Sequence, residues 1–188
     1  DWAKTVILLN SEELDAKLAE DTLNVLLKHQ QDIEVVKKEI PAHLPDRIKT
    51  NIVRWNPAFT QGFRASMNKL AVPEEREPGT LSVLVMNVEA LSTTKGSQSA
   101  AYYLHLNPNN LVIVDESTTI KNHSAKRTKT ALKLARQSKY RRILTGSPIT
   151  KDPMDLFAQC DFLSPNALGF KSYYSFRARY AVLRKQHK

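Results

Sequence analysis

One cysteine, Cys160, stands in 188 residues, and no glycine precedes Gly62. A lone cysteine excludes an internal disulfide and suits a reducing, intracellular compartment, whether cytoplasm, nucleoid or nucleus. It falls in the helix-like stretch DPMDLFAQCDFL, where it reads as a packed residue rather than a nucleophile. Cys and His are nowhere spaced as zinc ligands, and His43, His105 and His123 are scattered enough to read as structural or surface residues. No stretch approaches 18 consecutive apolar residues, so no membrane association is expected. The opening DWAKTVILLNSEELD begins on an acid and its apolar run is short, unlike a secretory signal. Because the first residue is Asp1 and not Met, the sequence is expected to be a piece of a longer product, or a processed one. Scarce glycine also leaves no room for G-x-x-x-x-G-K-[ST], whose backbone N–H groups and lysine hold phosphates; Lys4-Thr5 follows Asp-Trp-Ala and does not qualify. Acids are scarce in the second half. Residues 101–188 carry 16 Lys+Arg against 5 Asp+Glu, residues 1–100 carry 12 against 14, and the formal net charge is +9. A basic half beside a near-neutral half suits a polyanion-facing surface, and equally a solvated face that aids solubility.

What is present starts at residues 111–122, LVIVDESTTIKN. Four apolar residues read as a strand buried on both faces, as in a parallel sheet. Asp115 and Glu116 follow at once. Unpaired carboxylates are costly to bury, so they are expected at the carboxyl edge of the sheet, where open α/β folds bind ligands. An acid there can hold Mg²⁺, and a neighbouring carboxylate can orient an attacking water. For the dipeptide alone, a strand running into a solvated turn is the simpler reading.

A second strand, residues 140–144, leads into Thr145-Gly146-Ser147-Pro148-Ile149. Between the two strands, residues 124–139 place Ala125, Thr128, Leu132 and Ala135 at roughly helical spacing, with Ser124 as the expected N-cap. The unit predicts strand, helix, strand with a right-handed crossover.

V-D-E-S-x-x-I-K-N followed by L-T-G-S-P-I resembles motifs II and III of the Swi/Snf-type helicase-like ATPases of superfamily two. The likeness covers residues 111–165, including Asp155-Leu156-Phe157 and Phe162-Leu163-Ser164-Pro165. It implies a RecA-like α/β lobe with a mostly parallel sheet flanked by helices, incomplete as a P-loop NTPase-type lobe. It implies ATP and Mg²⁺ as cofactors and DNA, gripped by its phosphates, as partner, together with a second helicase lobe. On this resemblance Asp115 is the metal partner and Glu116 the water-orienting carboxylate. Lys121 and Ser147 are candidates for cofactor contact, Lys121 with Asn122 otherwise positioning the loop. Thr145 and Gly146, with Ser147, form the expected coupling turn, its hydroxyls bonding to the acidic loop; an ordinary Gly-Ser-Pro turn is the plain alternative. Asn87 and Ser92, with Thr93 and Lys95 beyond, resemble the motif Ib region where a strand end meets DNA. The phosphate loop and the second lobe's arginine motifs are absent, and Thr150-Lys151 stands where an Asn often follows the family's T-G-[ST]-P-x.

The rest is read as one lobe over residues 1–188. Residues 1–40 are expected to be a largely helical N-terminal part, with 1–9 a helix end or a short strand and the leucines of 11–40 on one helical face. Residues 41–165 form the α/β core. In it 48–55 and 81–86 are strands, 59–70 and 100–106 are helices, and 93–99 is a small-residue loop. Residues 166–188, aromatic and basic, are expected as a helix that packs on the sheet or leads toward a second lobe; stacking on bases is the alternative. The function expected is that of a first motor lobe of an ATP-dependent DNA translocase. The alternative is a non-catalytic nucleic-acid-binding or interaction module that kept the fold and lost the engine.

Overall fold

The computed structural model describes residues 5–11 and 48–181, with residues 17, 18, 20–22, 24, 42 and 44. Most of the N-terminal helix expected over residues 11–40, and of the connector at 41–47, therefore lies outside the described residues, as do residues 182–188.

Five strands form one sheet in the order β2-β3-β1-β4-β5. They are β1 (Thr5–Asn10), β2 (Lys49–Arg54), β3 (Thr80–Asn87), β4 (Asn110–Val114) and β5 (Tyr140–Ile143). β2 pairs parallel with β3, and β4 with β5. β1 lies between β3 and β4 and runs antiparallel to both. The sheet is therefore mixed and mostly parallel: four strands point one way and the central one points back. β1 is buried along its whole length, as an apolar TVILLN segment paired on both sides must be.

Five helices connect or follow the strands: α1 (Gln61–Ala71), α2 (Thr94–Leu106), α3 (Lys126–Gln137), α4 (Leu156–Leu163) and α5 (Tyr173–Tyr180). Alternate strand residues face opposite sides of the sheet. On one side Val6, Leu8, Leu84, Met86, Val112 and Val114 meet Phe63, Met67 and Leu70 of α1, Tyr103 and Leu104 of α2, Ala131 and Leu134 of α3 and Phe162 of α4. On the other, Ile7, Leu9, Val83, Val85, Leu111 and Ile113 meet Leu18 and Leu44 among the described residues. No described helix is long and apolar enough to cross a membrane.

Three local expectations are corrected. Residues 93–99 are not a loop. The Thr93 hydroxyl accepts from the Gly96 N–H at 3.0 Å and so caps α2, which starts at Thr94. Nor does Ser124 cap α3. Its own N–H and hydroxyl are taken by the Asn122 side chain, and Ala125 is the N-cap. The buried face of α3 is Thr128, Ala131, Leu134 and Ala135, with Leu132 only half-buried: a cap one residue later turns the stripe.

Candidate functional site: four loops at one sheet edge

Because β2, β3, β4 and β5 are parallel, their carboxyl ends meet at one edge. The start of β1 marks it. Thr5 is opposite Asn87, and its carbonyl accepts from the Asp115 N–H at 2.9 Å. Trp55 N–H donates to Val85 O, and Leu144 N–H donates to Val114 O. All ten candidate residues of the sequence reading thus lie in segments leaving this edge: Asn87, Ser92, Thr93 and Lys95 after β3; Asp115, Glu116 and Lys121 after β4; Thr145, Gly146 and Ser147 after β5.

Asp115 is buried, 6% exposed. Burial pushes its carboxyl above the ordinary range; the Glu116 N–H donated to Oδ1 at 2.9 Å opposes this, and the Glu116 charge adds to it. No cationic side chain among the described residues pairs with it. Glu116 is half-buried and left-handed, at φ 50° and ψ 59°. For a side chain with a Cβ that conformation costs on the order of 1–2 kcal/mol. It persists because neighbours hold the chain on either side: Thr119 N–H donates to Glu116 O, and Ser117 N–H to Leu144 O, both at 2.9 Å.

The post-β5 turn keeps its hydroxyl bonds to itself. Thr145 Oγ1 accepts from Ser147 N–H at 3.2 Å, and Ser147 Oγ donates to Ile149 O at 3.4 Å. The expectation that these hydroxyls bond the acidic loop is corrected: short side chains in an exposed turn reach their own backbone first. Three other ties join the two loops. One is the Ser117–Leu144 backbone bond. The second is Gln159 of α4, buried among both loops, which accepts from Ser117 Oγ at 2.6 Å and donates to Pro148 O at 2.8 Å. The third is Asp155, whose Oδ2 accepts from the N–H groups of Thr150 and Lys151 at 2.9 Å each, from Thr150 Oγ1 at 2.7 Å and from Lys121 Nζ at 3.3 Å. Lys121 also contacts the Thr150 hydroxyl. Desolvation pushes Asp155 up, but those donors win and hold its carboxyl at about 2. The Lys121 ammonium is therefore engaged within the protein.

Toward β3, Asn87 accepts from Glu89 N–H at 2.8 Å and starts a 3-10 turn over Val88–Ser92. Thr93 is committed to its cap, donating as well to Ala90 O at 2.8 Å. Lys95 is exposed. It and Arg64 of α1 lie over the Phe59 ring, at 5.7 and 5.4 Å from its centre, in a groove of about 480 Å³ between α1 and α2. Arg127 of α3 spans from this side to the acidic loop, donating to Glu89 Oε1 at 3.0 Å and through Nε to Thr119 O at 2.8 Å. Beyond α4, the His123 ring stacks on Tyr173 at 3.6 Å and Phe176 is buried, whereas Tyr174 is 70% exposed.

Gln159, Asp155 and Arg127 were missed as site residues, although Asp155 lies inside the quoted likeness. Asp155 carried a faint signal, an acid a few residues past a G-S-P turn. The other two carried none.

The carboxylates fit Mg²⁺ in kind: Mg²⁺ takes one or two hard carboxylate oxygens and completes its shell with waters and phosphates, and Asp115 is a buried acid that no cation among the described residues pairs with. No three His, Cys, Asp or Glu among the described residues are gathered to hold a metal alone. The phosphates of ATP find no such fit. A phosphate cradle needs a glycine-rich loop leaving a strand end and opening a helix; among the described residues β1, between β3 and β4, starts at this edge and runs away from it, and no G-x-x-x-x-G-K-[ST] loop opens α1, α2 or α3.

Residues 12–187 match the SNF2-related domain. Over 62 residues the chain is 38% identical to a Drosophila melanogaster protein named SWI/SNF-related matrix-associated actin-dependent regulator of chromatin subfamily A-like protein 1; the stretch covers 33% of this chain and 8% of that protein. No solved structure matches the chain.

Proposed function

The chain belongs to the SNF2-related domain family, and on that footing we propose that it is part of the first motor lobe of an ATP-driven DNA translocase. The observation that carries this reading is the pairing of buried Asp115, which no cation among the described residues neutralises, with half-buried Glu116 at the carboxyl edge. In this reading Asp115 would hold Mg²⁺, which when bound neutralises phosphate charge. Glu116 orients the attacking water. Lys121, held by Asp155, keeps the acidic loop against the post-β5 turn rather than touching phosphate. Thr145, Gly146 and Ser147 report loop position to the DNA side, where Asn87, Ser92 and Lys95 face the sugar-phosphate backbone. Such contacts position DNA and read little sequence.

Since these residues offer no phosphate cradle, hydrolysis belongs to an intact protein in which a phosphate-binding loop and a second lobe meet this edge; the 188 residues alone are expected not to turn over ATP. The test is Glu116→Gln in that intact protein. A group that orients water acts mainly in the transition state, so kcat should fall by at least about 10², within the usual range for general acid–base groups, while ATP binding stays near parental. Parental turnover in the variant would sink the assignment. A protein with no ATPase that still binds DNA would favour the second reading, a binding module built on the same lobe; the missing phosphate loop is the observation on its side.

A further inference from the structure

One fully buried side chain, Gln159, bonds to both the acidic loop and the post-β5 turn. Gln159 is 1% exposed and makes three hydrogen bonds: Oε1 accepts from Ser117 Oγ at 2.6 Å, and Nε2 donates to Pro148 O and to Asp155 O at 2.8 Å each. The chemistry allows one orientation only. Pro148 O and Asp155 O are carbonyls, which can only accept, so the NH₂ group must face them. The amide oxygen must then face Ser117, whose hydroxyl donates. A carboxamide satisfies all three neighbours; a carboxylate would turn an acceptor toward two acceptors, and an aliphatic side chain would leave the buried Ser117 hydroxyl unpaired.

The place of this amide matters more than its bonds. Ser117 follows Glu116, whose left-handed backbone must be held, and Pro148 follows Ser147 of the turn. The Ser117 N–H is already anchored to Leu144 O. With its side chain anchored as well, Ser117 is fixed at both ends, and the peptide carrying Glu116 moves with the turn after β5. We infer that Gln159 is a positioning residue that sets the attitude of Glu116 according to the position of the 145–150 turn. The inference deepens the motor reading and rests on it for the kinetic arm of its test.

The variants are Gln159→Met, similar in length and apolar, and Gln159→Glu. The first measurement is hydrogen exchange on the full chain. In Gln159→Met the acceleration of exchange at the amides of Ser117 and Thr150 should exceed that at Val112 and Ile113 in β4 by at least about tenfold. In Gln159→Glu the acceleration should be larger at neutral pH than at pH near 5, because only the protonated acid can donate to Pro148 O. The second measurement is steady-state ATP hydrolysis by the intact protein, where Gln159→Met should lower DNA-stimulated kcat about tenfold with KM for ATP within twofold. Unchanged exchange in both segments overturns the inference, whatever the kinetics. So does faster exchange with unchanged kcat in a protein that does hydrolyse ATP, since the tie would then be merely structural. If the parental protein has no ATPase, the motor reading falls and exchange alone decides: coupled loosening of both segments keeps the positioning claim, and loosening of one alone overturns it.

Discussion

The Arg127 guanidinium donates to both oxygens of the Glu89 carboxylate, at 3.0 and 3.3 Å. That pair joins the turn after β3 to the first turn of α3, and the same arginine reaches the carbonyl of Thr119 in the acidic loop. The pair is partly exposed, at 33% and 60% for the two side chains, so its worth to stability is small, about 0.2–1 kcal/mol. Its interest lies in joining the turn after β3, which the proposed function assigns to DNA, to the acidic loop that the same proposal makes catalytic. Arg127→Met in the intact protein is expected to leave basal ATP hydrolysis within about twofold and lower its stimulation by DNA several-fold, with Glu89→Gln giving the same loss and the double variant no more than either. Additive losses in that cycle would show that the two residues act separately.

Asp155 should make stability depend on acid. Its folded carboxyl sits at about 2, below the value of about 3.9 for an unfolded aspartate. A depressed folded value means that the unfolded chain takes up the proton first, so the contribution is present above about pH 4 and fades as pH falls toward 2. Its side chain is 12% exposed, and four donors converge on it, so Asp155→Asn should cost about 1–2 kcal/mol at neutral pH, less than the full value for bonds to a charged group because water still screens it. Urea unfolding at a series of pH values checks this; a parental-minus-variant gap that is flat from pH 7 to 2.5 would contradict it.

Two glycines in helices should respond oppositely to alanine. A Cβ on Gly96, in the first turn of α2, would lie 2.2 Å from the backbone oxygen of Ala90, whereas one on Gly62 in α1 meets nothing within 4 Å. Gly96→Ala should destabilise by about 1–3 kcal/mol, as overpacking against an immovable carbonyl does. Gly62→Ala should stabilise by up to about 1 kcal/mol through helix propensity. Melting curves of the two variants decide the matter, and a stabilised Gly96→Ala would mean that α2 sits less closely on the Val88–Ser92 turn than described.

Binding to duplex DNA, if the basic surface serves it, is expected to be tolerant of sequence and sensitive to salt. Neutralising Z phosphates gives a slope of about −0.9Z in log affinity against log salt. Lys95→Gln should weaken binding alike on unrelated sequences and reduce that slope by about one unit. Fluorescence anisotropy across a salt series reads both quantities, and a salt-independent affinity would remove the phosphate-contact reading.

Much of this site was legible because its signals are local. An apolar run ending in two acids reads as a buried strand ending at the carboxyl edge of the sheet, and Asn110–Val114 with Asp115 behind it does so. Thr-Gly-Ser-Pro after a second strand likewise marks a turn, and it leaves the same edge because β4 and β5 are parallel. What stayed hidden depends on partners distant in sequence. The direction of β1 is set by β3 and β4, more than seventy and a hundred residues away, and nothing in TVILLN encodes it. Gln159 reads as one more polar residue in an amphipathic helix until the fold puts Ser117 and Pro148 on either side of it. The α3 cap was misplaced by one residue and the start of α2 by six, because the Asn122 and Thr93 side chains bonded their own neighbours, a competition between nearby backbone groups that composition does not rank.

The reversed central strand bears on synthesis. Val6 pairs with Met86 on one side and Val114 on the other, while β3 and β4 do not pair with each other. On the ribosome β1 therefore emerges long before either neighbour, and at about 5–20 residues per second roughly 5–20 s pass before Val114 follows Val6 out. During that interval an apolar six-residue strand has two unsatisfied edges, the kind of segment that recruits other chains. Nascent copies of this protein are therefore expected to depend on chaperones that shelter extended apolar segments, and a crowded polysome is where misassembly between copies would begin.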